Sequence, residues 1–283
     1  MQKRIGPPII QPFYDFIKLL NKERIVPVTA SSTIFRAMPI IAAAASILGA
    51  SIPVASLVAG MGVVGDLILV MYLLTMSSVM MMVGGSSSGN PYGAVGFSRK
   101  MTMLIAYEVP MLISIASISL KFNSLEFCGI LSAQTGMKTL LAFTSPSMIV
   151  AAVTFLLCIP AGADAVPFDI SEAKTEIVHG PLVEYGGPYL ALAKLAKVAA
   201  NFALTFLATT LFFYVPALLE GYASTGIFAL FLCLIVTLIL MLLAITIPRT
   251  IFARLKIGQA FKFYWLIPFV LSILSVALSA LSL

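Results

Sequence analysis

Five of the eleven acidic residues in this chain fall within one short segment, GADAVPFDISEAKTEIVHGPLVEYGG, at residues 162–187. Long apolar runs flank this segment on both sides. Carboxylates beside lipid must be solvated, paired or protonated, and holding them there costs free energy. Their concentration favours a site that moves protons over a merely solvated acidic loop. The five carboxylates belong to Asp164, Asp169, Glu172, Glu176 and Glu184.

Two of these carboxylates have the spacing of a coupled pair. Glu172 and Glu176 are four residues apart, and Asp169 or Ser171 is positioned to cap a helix through ISEAKTEIV. Residues at this spacing share a helix face, so their like charges should raise the pKa of at least one unless a cation intervenes. We predict two carboxyls that share a proton. His179, the only histidine, follows closely.

Two further carboxylates lie within apolar runs. Glu108, in RKMTMLIAYEVPML, would be about 12 Å further along a helix than Lys100. Pro110 follows it and leaves a backbone carbonyl free, which makes the helix a local point of entry for water. We predict a proton-relay role for Glu108, with a hydrogen bond between helices as the alternative. For Asp66, a functional role and a plain position at the outer interface are equally compatible with the sequence.

The elements that must position these groups are transmembrane helices. The 283 residues are 60% hydrophobic and 10% charged, with a mean hydropathy of +1.08, which excludes an ordinary soluble domain. The apolar runs are too long and continuous for a membrane β-barrel. We predict an all-α polytopic bundle of about seven spans, forming a single membrane domain over residues 1–283. The predicted spans are 32–55, 60–83, 100–120, 145–163, 188–216, 224–247 and 263–282.

The first thirty residues predict an amphipathic helix at the membrane surface. Phe13, Phe16, Ile17 and Leu20 recur at helical spacing within residues 11–23, with charged residues on the other faces. A plain linker before the first span is the alternative. We place segment 1–30 at the cytoplasmic face, in contact with the lipid bilayer.

The basic residues that give the chain its net charge of +6 are distributed as in a membrane protein. With a cytoplasmic amino terminus, only Lys121 and Lys138 among the basic loop residues would lie outside. This is the positive-inside pattern of a multi-pass protein of the cell membrane, and it removes nucleic acid as the expected partner. It also places the acidic loop, residues 164–187, on the cytoplasmic side. The three cysteines are far apart, without metal-ligand or redox spacing, so no cofactor or metal site is expected in this chain.

Four blocks resemble a known family in the same order along the chain. They are RIGPPIIQPFYDFIKLLNKE, PYGAVGFSRKMTMLIAYEVP, AVPFDISEAKTEIVHGPLVEYGG and PRTIFARLKIGQAFKFYWLIP. They resemble the quinone-proximal membrane subunit of respiratory complex I, which meets the quinone-reducing arm, and its relatives in energy-converting membrane-bound hydrogenases. The match extends from the first residues to the last span.

The resemblance implies roles for specific residues. Asp169, Glu172, Glu176 and Glu184 would line a passage from the redox arm into the membrane, and Glu108 would lie further along it. The remaining candidates for proton transfer or coupling are Asp66 and Lys197. The candidates for contact with the redox arm are Arg4, Arg99, Lys100 and His179.

The resemblance also implies partners outside this chain. Iron–sulfur clusters, and in the hydrogenase branch a nickel–iron centre, would lie in the catalytic and iron–sulfur subunits of a soluble arm. This arm would receive its electrons from ferredoxin. Antiporter-like membrane subunits would translocate H⁺ or Na⁺. GGSSSGNPYGAVGFSR is closer to the hydrogenase branch or to related sulfur-reducing complexes than to quinone-reducing members, which are the alternative. A stand-alone ion transporter is less favoured, because the acidic loop has no repeat in the other half.

Two features depart from the family pattern. Lys197 stands near the expected place of an acid, which reverses the local charge. The family normally has a transmembrane helix before the R-x-GP block, whereas this sequence begins at that block.

Overall fold

The computed structural model describes the chain as helices joined by short loops. The described residues are 6, 8, 10–60, 62, 64–137, 139–218 and 226–281. Within them no strand occurs. The α-helices in chain order are α1 Gln11–Leu20, α2 Ser32–Ala59, α3 Asp66–Ser86, α4 Pro91–Phe122, α5 Phe127–Met137, α6 Pro146–Gly162, α7 Lys174–Ile177, α8 Gly187–Phe212, α9 Ile227–Met241, α10 Ile247–Ile251, α11 Ile257–Leu266 and α12 Pro268–Ala280.

The predicted polytopic helical bundle is confirmed. Within the described residues, six helical segments are long and apolar enough to cross a membrane. The remaining predicted span, 145–163, forms the apolar helix α6 of 17 residues, which lies at the short end of the range for a membrane span. A helix satisfies its backbone hydrogen bonds internally, so apolar runs of this length must fold this way in lipid.

The last two spans are composite helices. The predicted span 224–247 consists of α9, a π-helical stretch at Leu242–Thr246 and α10, which ends at Ile251. The last span starts at Ile257, earlier than predicted, and is divided at Ile267 because Pro268 lacks the N–H that would continue the ladder. Pro110, by contrast, lies inside the continuous helix α4.

Two groups of helices form the bundle. In one group α2 packs against α3 and α8, and in the other α4, α6 and α12 pack against one another. Contacts of α3 with α4 and of α6 with α8 join the two groups. The principal core includes Phe155, Phe212 and Tyr264, all fully or almost fully buried. The acidic loop follows α6 and precedes α8, so it crosses from one group to the other.

The amphipathic helix α1 is present and ends at Leu20, three residues before the predicted end. It packs against α8. Phe16 and Leu19 are half-buried, whereas Phe13, Ile17 and Leu20 remain exposed.

Candidate functional site

Cations from other parts of the chain hold the acidic loop in place. α4 supplies Arg99 and Lys100, α8 supplies Lys197, and the segment after α10 supplies Arg254. The ion pairs are Arg99–Glu176, Lys100–Asp164, Lys197–Glu172 at 2.7 Å and Arg254–Asp169 at 2.9 Å. Glu184 accepts a hydrogen bond from the Nδ2 atom of Asn90 at 2.5 Å. Every carboxylate that the sequence singled out in this loop is therefore bound to another element.

The predicted shared face of Glu172 and Glu176 is wrong. The helix in this segment is α7, only four residues long, with Ala173 at its N-cap, so Glu172 precedes it. Glu172 contacts Lys197 while Glu176 contacts Arg99. Separate cations neutralise the two carboxylates, because the loop folds onto two helices instead of extending as a helix of its own.

The charge state of Glu176 follows from its partner. The hydrogen bond from the Arg99 guanidinium and its positive charge lower the pKa of Glu176 below the ordinary glutamate value, against a small opposing effect of burial. Arg254 and Lys256 lower it further. Glu176 is therefore ionised at neutral pH and cannot store a proton while Arg99 stays in place.

Glycines on α3 and α4, here called the glycine seat, allow the second half of the acidic loop to pack directly against the two helix backbones. A Cβ atom on Gly96 would lie 2.6 Å from Cδ of Pro181, and one on Gly85 would lie 2.5 Å from Cα of Pro181. Gly180 has φ +53°, and a side chain there would meet the carbonyl oxygen of Ser171. Only glycines allow so close an approach of loop and helix backbones.

A cavity of about 520 Å³ lies under the loop. Two of the ion pairs line it, Lys100–Asp164 and Lys197–Glu172. Its other polar lining residues are Ser77, Ser78, Ser171, His179, Lys194, Tyr185 and Asn201. The cavity brings together positive and negative side chains from the loop, α3, α4 and α8, in a volume large enough for many water molecules.

A small cavity lies between the large cavity and Glu108 and shares lining residues with the large one. Ser78, Gly162 and Ala200 also line a cavity of about 30 Å³, whose wall includes Tyr107 and Glu108. A volume of this size can hold one or two waters. The Thr75 hydroxyl donates a hydrogen bond to Glu108. Glu108 is half-buried, and this hydrogen bond joins α3 to α4, as the alternative to a proton-relay role expects. Glu108 also lines a cavity next to the one under the acidic loop, so the relay role stays a prediction.

Glu108 also faces a third cavity. This space of about 250 Å³ lies between α3 and α4, and Met71, Thr75 and Glu108 are common to both its wall and that of the small cavity. The third cavity is mainly apolar and borders the exposed side chain of Tyr72. The three cavities together extend from the acidic loop to the lateral face of the bundle.

The remaining predicted site residues are dispersed. Asp66 is buried in the first turn of α3 and lies roughly 30 Å, the length of that helix, from the end that faces the loop. His179 is exposed at the rim of the large cavity, and Arg99 is half-buried. Lys100 is buried, so the predicted contact with a redox arm would require that the arm reach into the cavity. Arg4 lies outside the described residues.

Several residues at the site were missing from the predicted set. They are Asn90, Thr75, Lys194 and Arg254, which either pair with a predicted residue or line the same cavity. Asp164 was counted among the five carboxylates of the acidic segment without a role of its own, and the structure pairs it with Lys100. The sequence signal for Asp164 was its place in the acidic segment, since a carboxylate beside a span requires a cation. In the described residues, no group of three His, Cys, Asp or Glu side chains could hold a metal ion.

Comparison with known proteins agrees with the predicted family and with the helical fold. A family model described as NADH dehydrogenase matches residues 1–280. The H subunit of NADH-quinone oxidoreductase from Thermomicrobium roseum is 34% identical over 233 residues, which are 75% of this chain and 68% of the relative. The subunit of the same name from Geobacillus thermodenitrificans is 29% identical over 291 aligned positions, covering 99% of this chain and 84% of the relative.

A solved structure has the same architecture. A chain in the structure of the membrane-bound sulfane sulfur reductase, an archaeal respiratory membrane complex, is 30% identical with a TM-score of 0.86. The similarity covers 98% of this chain and 89% of that chain. This chain therefore belongs to the NADH dehydrogenase family, as a membrane subunit similar to the H subunit of NADH-quinone oxidoreductase.

Proposed function

We propose that this chain is the membrane subunit of a ferredoxin-linked, complex I-like energy-converting complex. It anchors a soluble redox arm and couples electron transfer to the translocation of H⁺ or Na⁺ through buried carboxylates. The observation that carries this proposal is the row of neighbouring cavities, with shared lining residues, between the ion-paired acidic loop and Glu108. A structural anchor would need no such route.

The soluble arm docks on the face that carries the acidic loop. Arg99, Glu176 and His179 are accessible there, and Lys256 is exposed close by. The positive-inside distribution of basic residues supports a cytoplasmic position for this face. The iron–sulfur clusters of the complex lie in the arm, and the present chain supplies charged groups that respond to their reduction.

Coupling proceeds by rearrangement of ion pairs. Electron arrival at the arm changes the electric field over the large cavity, whose walls hold Lys100–Asp164 and Lys197–Glu172. A carboxylate that loses its cation becomes a proton acceptor, because a charge left alone in a poorly solvated site is unstable. Water in the cavities carries the proton to Glu108, and antiporter-like subunits respond beyond the third cavity.

The electron acceptor is a sulfur species or protons rather than quinone. The chain's similarity to the sulfane sulfur reductase chain, over 98% of its length, supports this branch. The segment GGSSSGNPYGAVGFSR, whose Asn90 binds Glu184, supports it from the sequence. The alternative is a quinone-linked complex, which the similarity to the H subunit of NADH-quinone oxidoreductase supports.

Native mass spectrometry of the mildly solubilised complex, with metal analysis of the same sample, tests the proposal. Nickel together with iron would establish a hydrogenase, and iron without nickel a sulfur- or quinone-reducing complex. Activity assays with sulfur species and with quinone then separate those two. A chain that purifies alone and transports ions in liposomes would instead be a secondary transporter, and the proposal would be wrong.

A further inference from the structure

We propose that the surface formed by α1, the segment 21–30 and the first two turns of α2 binds the headgroup of an anionic phospholipid. This headgroup site is independent of the proposed function, since it uses none of the residues of the acidic loop. Its cations are Lys18, Lys22, Arg24 and Arg36, all of them exposed.

Charge is the first argument for this site. Among the residues that the structure describes, none of the four cations forms an ion pair, whereas Arg99, Lys100, Lys197 and Arg254 at the acidic loop are each matched by a carboxylate. The same surface holds only two carboxylates, Asp15 and Glu23. A surplus of basic side chains on an amphipathic helix beside a span is complementary to a negatively charged lipid headgroup.

The apolar side of α1 is the second argument. Phe13, Ile17 and Leu20 follow each other at intervals of four and three residues and therefore form one face. Their side chains are exposed by 70, 55 and 44%. An exposed aromatic and aliphatic stripe next to basic residues matches the two halves of a phospholipid, with acyl chains against the stripe and phosphate at the cations.

The backbone of this surface packs closely against neighbouring elements. A Cβ atom on Gly187, the first residue of α8, would lie 2.5 Å from the carbonyl oxygen of Glu23. Thr29 similarly contacts Gly89, and its hydroxyl donates a hydrogen bond to the carbonyl oxygen of Ser88 at 3.0 Å. A soluble partner protein that covered α1 would be the competing occupant.

Electron paramagnetic resonance of spin-labelled lipids bound to the complete purified complex tests the headgroup site. We expect the complex to immobilise labelled phosphatidylglycerol in preference to labelled phosphatidylcholine. The variant with Lys22→Gln and Arg36→Gln should lose about fivefold of this preference for each cation removed. The control with Arg249→Gln and Lys262→Gln removes the same charges from exposed positions elsewhere and should keep the preference.

Three results would overturn this inference. Equal immobilisation of the two lipids by the wild-type complex would mean that a protein covers the surface or that no headgroup is selected. An equal loss in both double variants would mean a general effect of positive charge. Competition by inorganic phosphate that abolishes the preference would mean that a free anion, and not the lipid, is bound.

Discussion

The Nζ atom of Lys197 lies 2.7 Å from the Oε2 atom of Glu172, joining the middle of α8 to the acidic loop across the wall of the large cavity. The pair is only partly exposed, with 33 and 22% of the two side chains accessible. Lys197 occupies a place where the family resemblance led us to expect an acid. Its positive charge therefore compensates a carboxylate instead of adding another.

Reversing this ion pair should show that its charges act together. Lys197→Glu or Glu172→Lys alone places like charges beside each other, so we expect a loss of ion translocation and a lower thermal midpoint of the complex. The double variant, which exchanges the two charges, should recover most of the loss. Ion uptake by proteoliposomes measures the effect. Equal defects in the single and double variants would mean that the residues act independently.

Replacing Glu176 should separate pumping from electron transfer. Glu176→Gln removes the negative charge that Arg99 binds, while the exposed position of the side chain should leave the complex assembled. We expect electron transfer to continue without ion translocation, or turnover to stop. Proton or sodium uptake measured together with acceptor reduction tests this prediction. Unchanged ion uptake would contradict a coupling role for Glu176.

The same residue gives a pH dependence of a defined sign. Because Arg99 lowers the pKa of Glu176 in the folded state, the pair stabilises the loop above the unfolded value of about 4.5. The stability that the pair gives to the loop is lost as the pH falls from about 4.5 through the lower pKa of Glu176 in the folded state. Protease accessibility of the loop should increase over this range in the wild type. In Glu176→Gln the increase should be smaller, and an identical profile in both proteins would contradict the pairing.

Removing the carboxylate of Glu108 should block the route into the membrane. Glu108→Gln keeps the size of the side chain, so we expect an assembled complex whose ion translocation falls by about tenfold or more, as for loss of a proton-transfer group. Thr75→Val removes the hydroxyl donor and should give a smaller loss. Glu126→Gln is the matched control, because Glu126 is also half-buried but lines none of the three cavities. A similar loss in the control would disprove a specific role for Glu108.

A methyl group on Gly96 should displace the acidic loop. The added Cβ atom would lie 2.6 Å from Pro181 and 2.9 Å from Gly180, so the loop backbone must move. We expect Gly96→Ala to destabilise the native state by about 1–3 kcal/mol, the usual effect of overpacking. Gly136→Ala is the control, since no atom lies within 4 Å of the new methyl group there. Thermal unfolding, with proteolysis of the loop as the readout, distinguishes the two variants. Equal stability of both would exclude the close contact between Gly96 and Pro181.

The membrane-spanning architecture and the family could both be predicted from the amino-acid sequence. Apolar runs of about 20 residues must form helices in lipid, because only the chain's own backbone can satisfy its N–H and C=O groups there. That requirement is local, so six long spans and the short span α6 could be located from composition alone. The acidic segment and Glu108 were recognisable for a similar reason, since a carboxylate stands out wherever its surroundings are apolar.

The cation that each carboxylate meets could not be predicted from the sequence, because it depends on how the helices pack. Glu172 and Lys197 are 25 residues apart in sequence, Glu176 and Arg99 are 77 apart, and Asp169 and Arg254 are 85 apart. Spacing of four residues suggested instead that Glu172 and Glu176 face each other. The glycine seat under Pro181 and the cations of α4 and α8 hold the loop in a conformation that local helix propensity does not specify. Long-range electrostatics and packing, which act only after the helices assemble, therefore arranged the site.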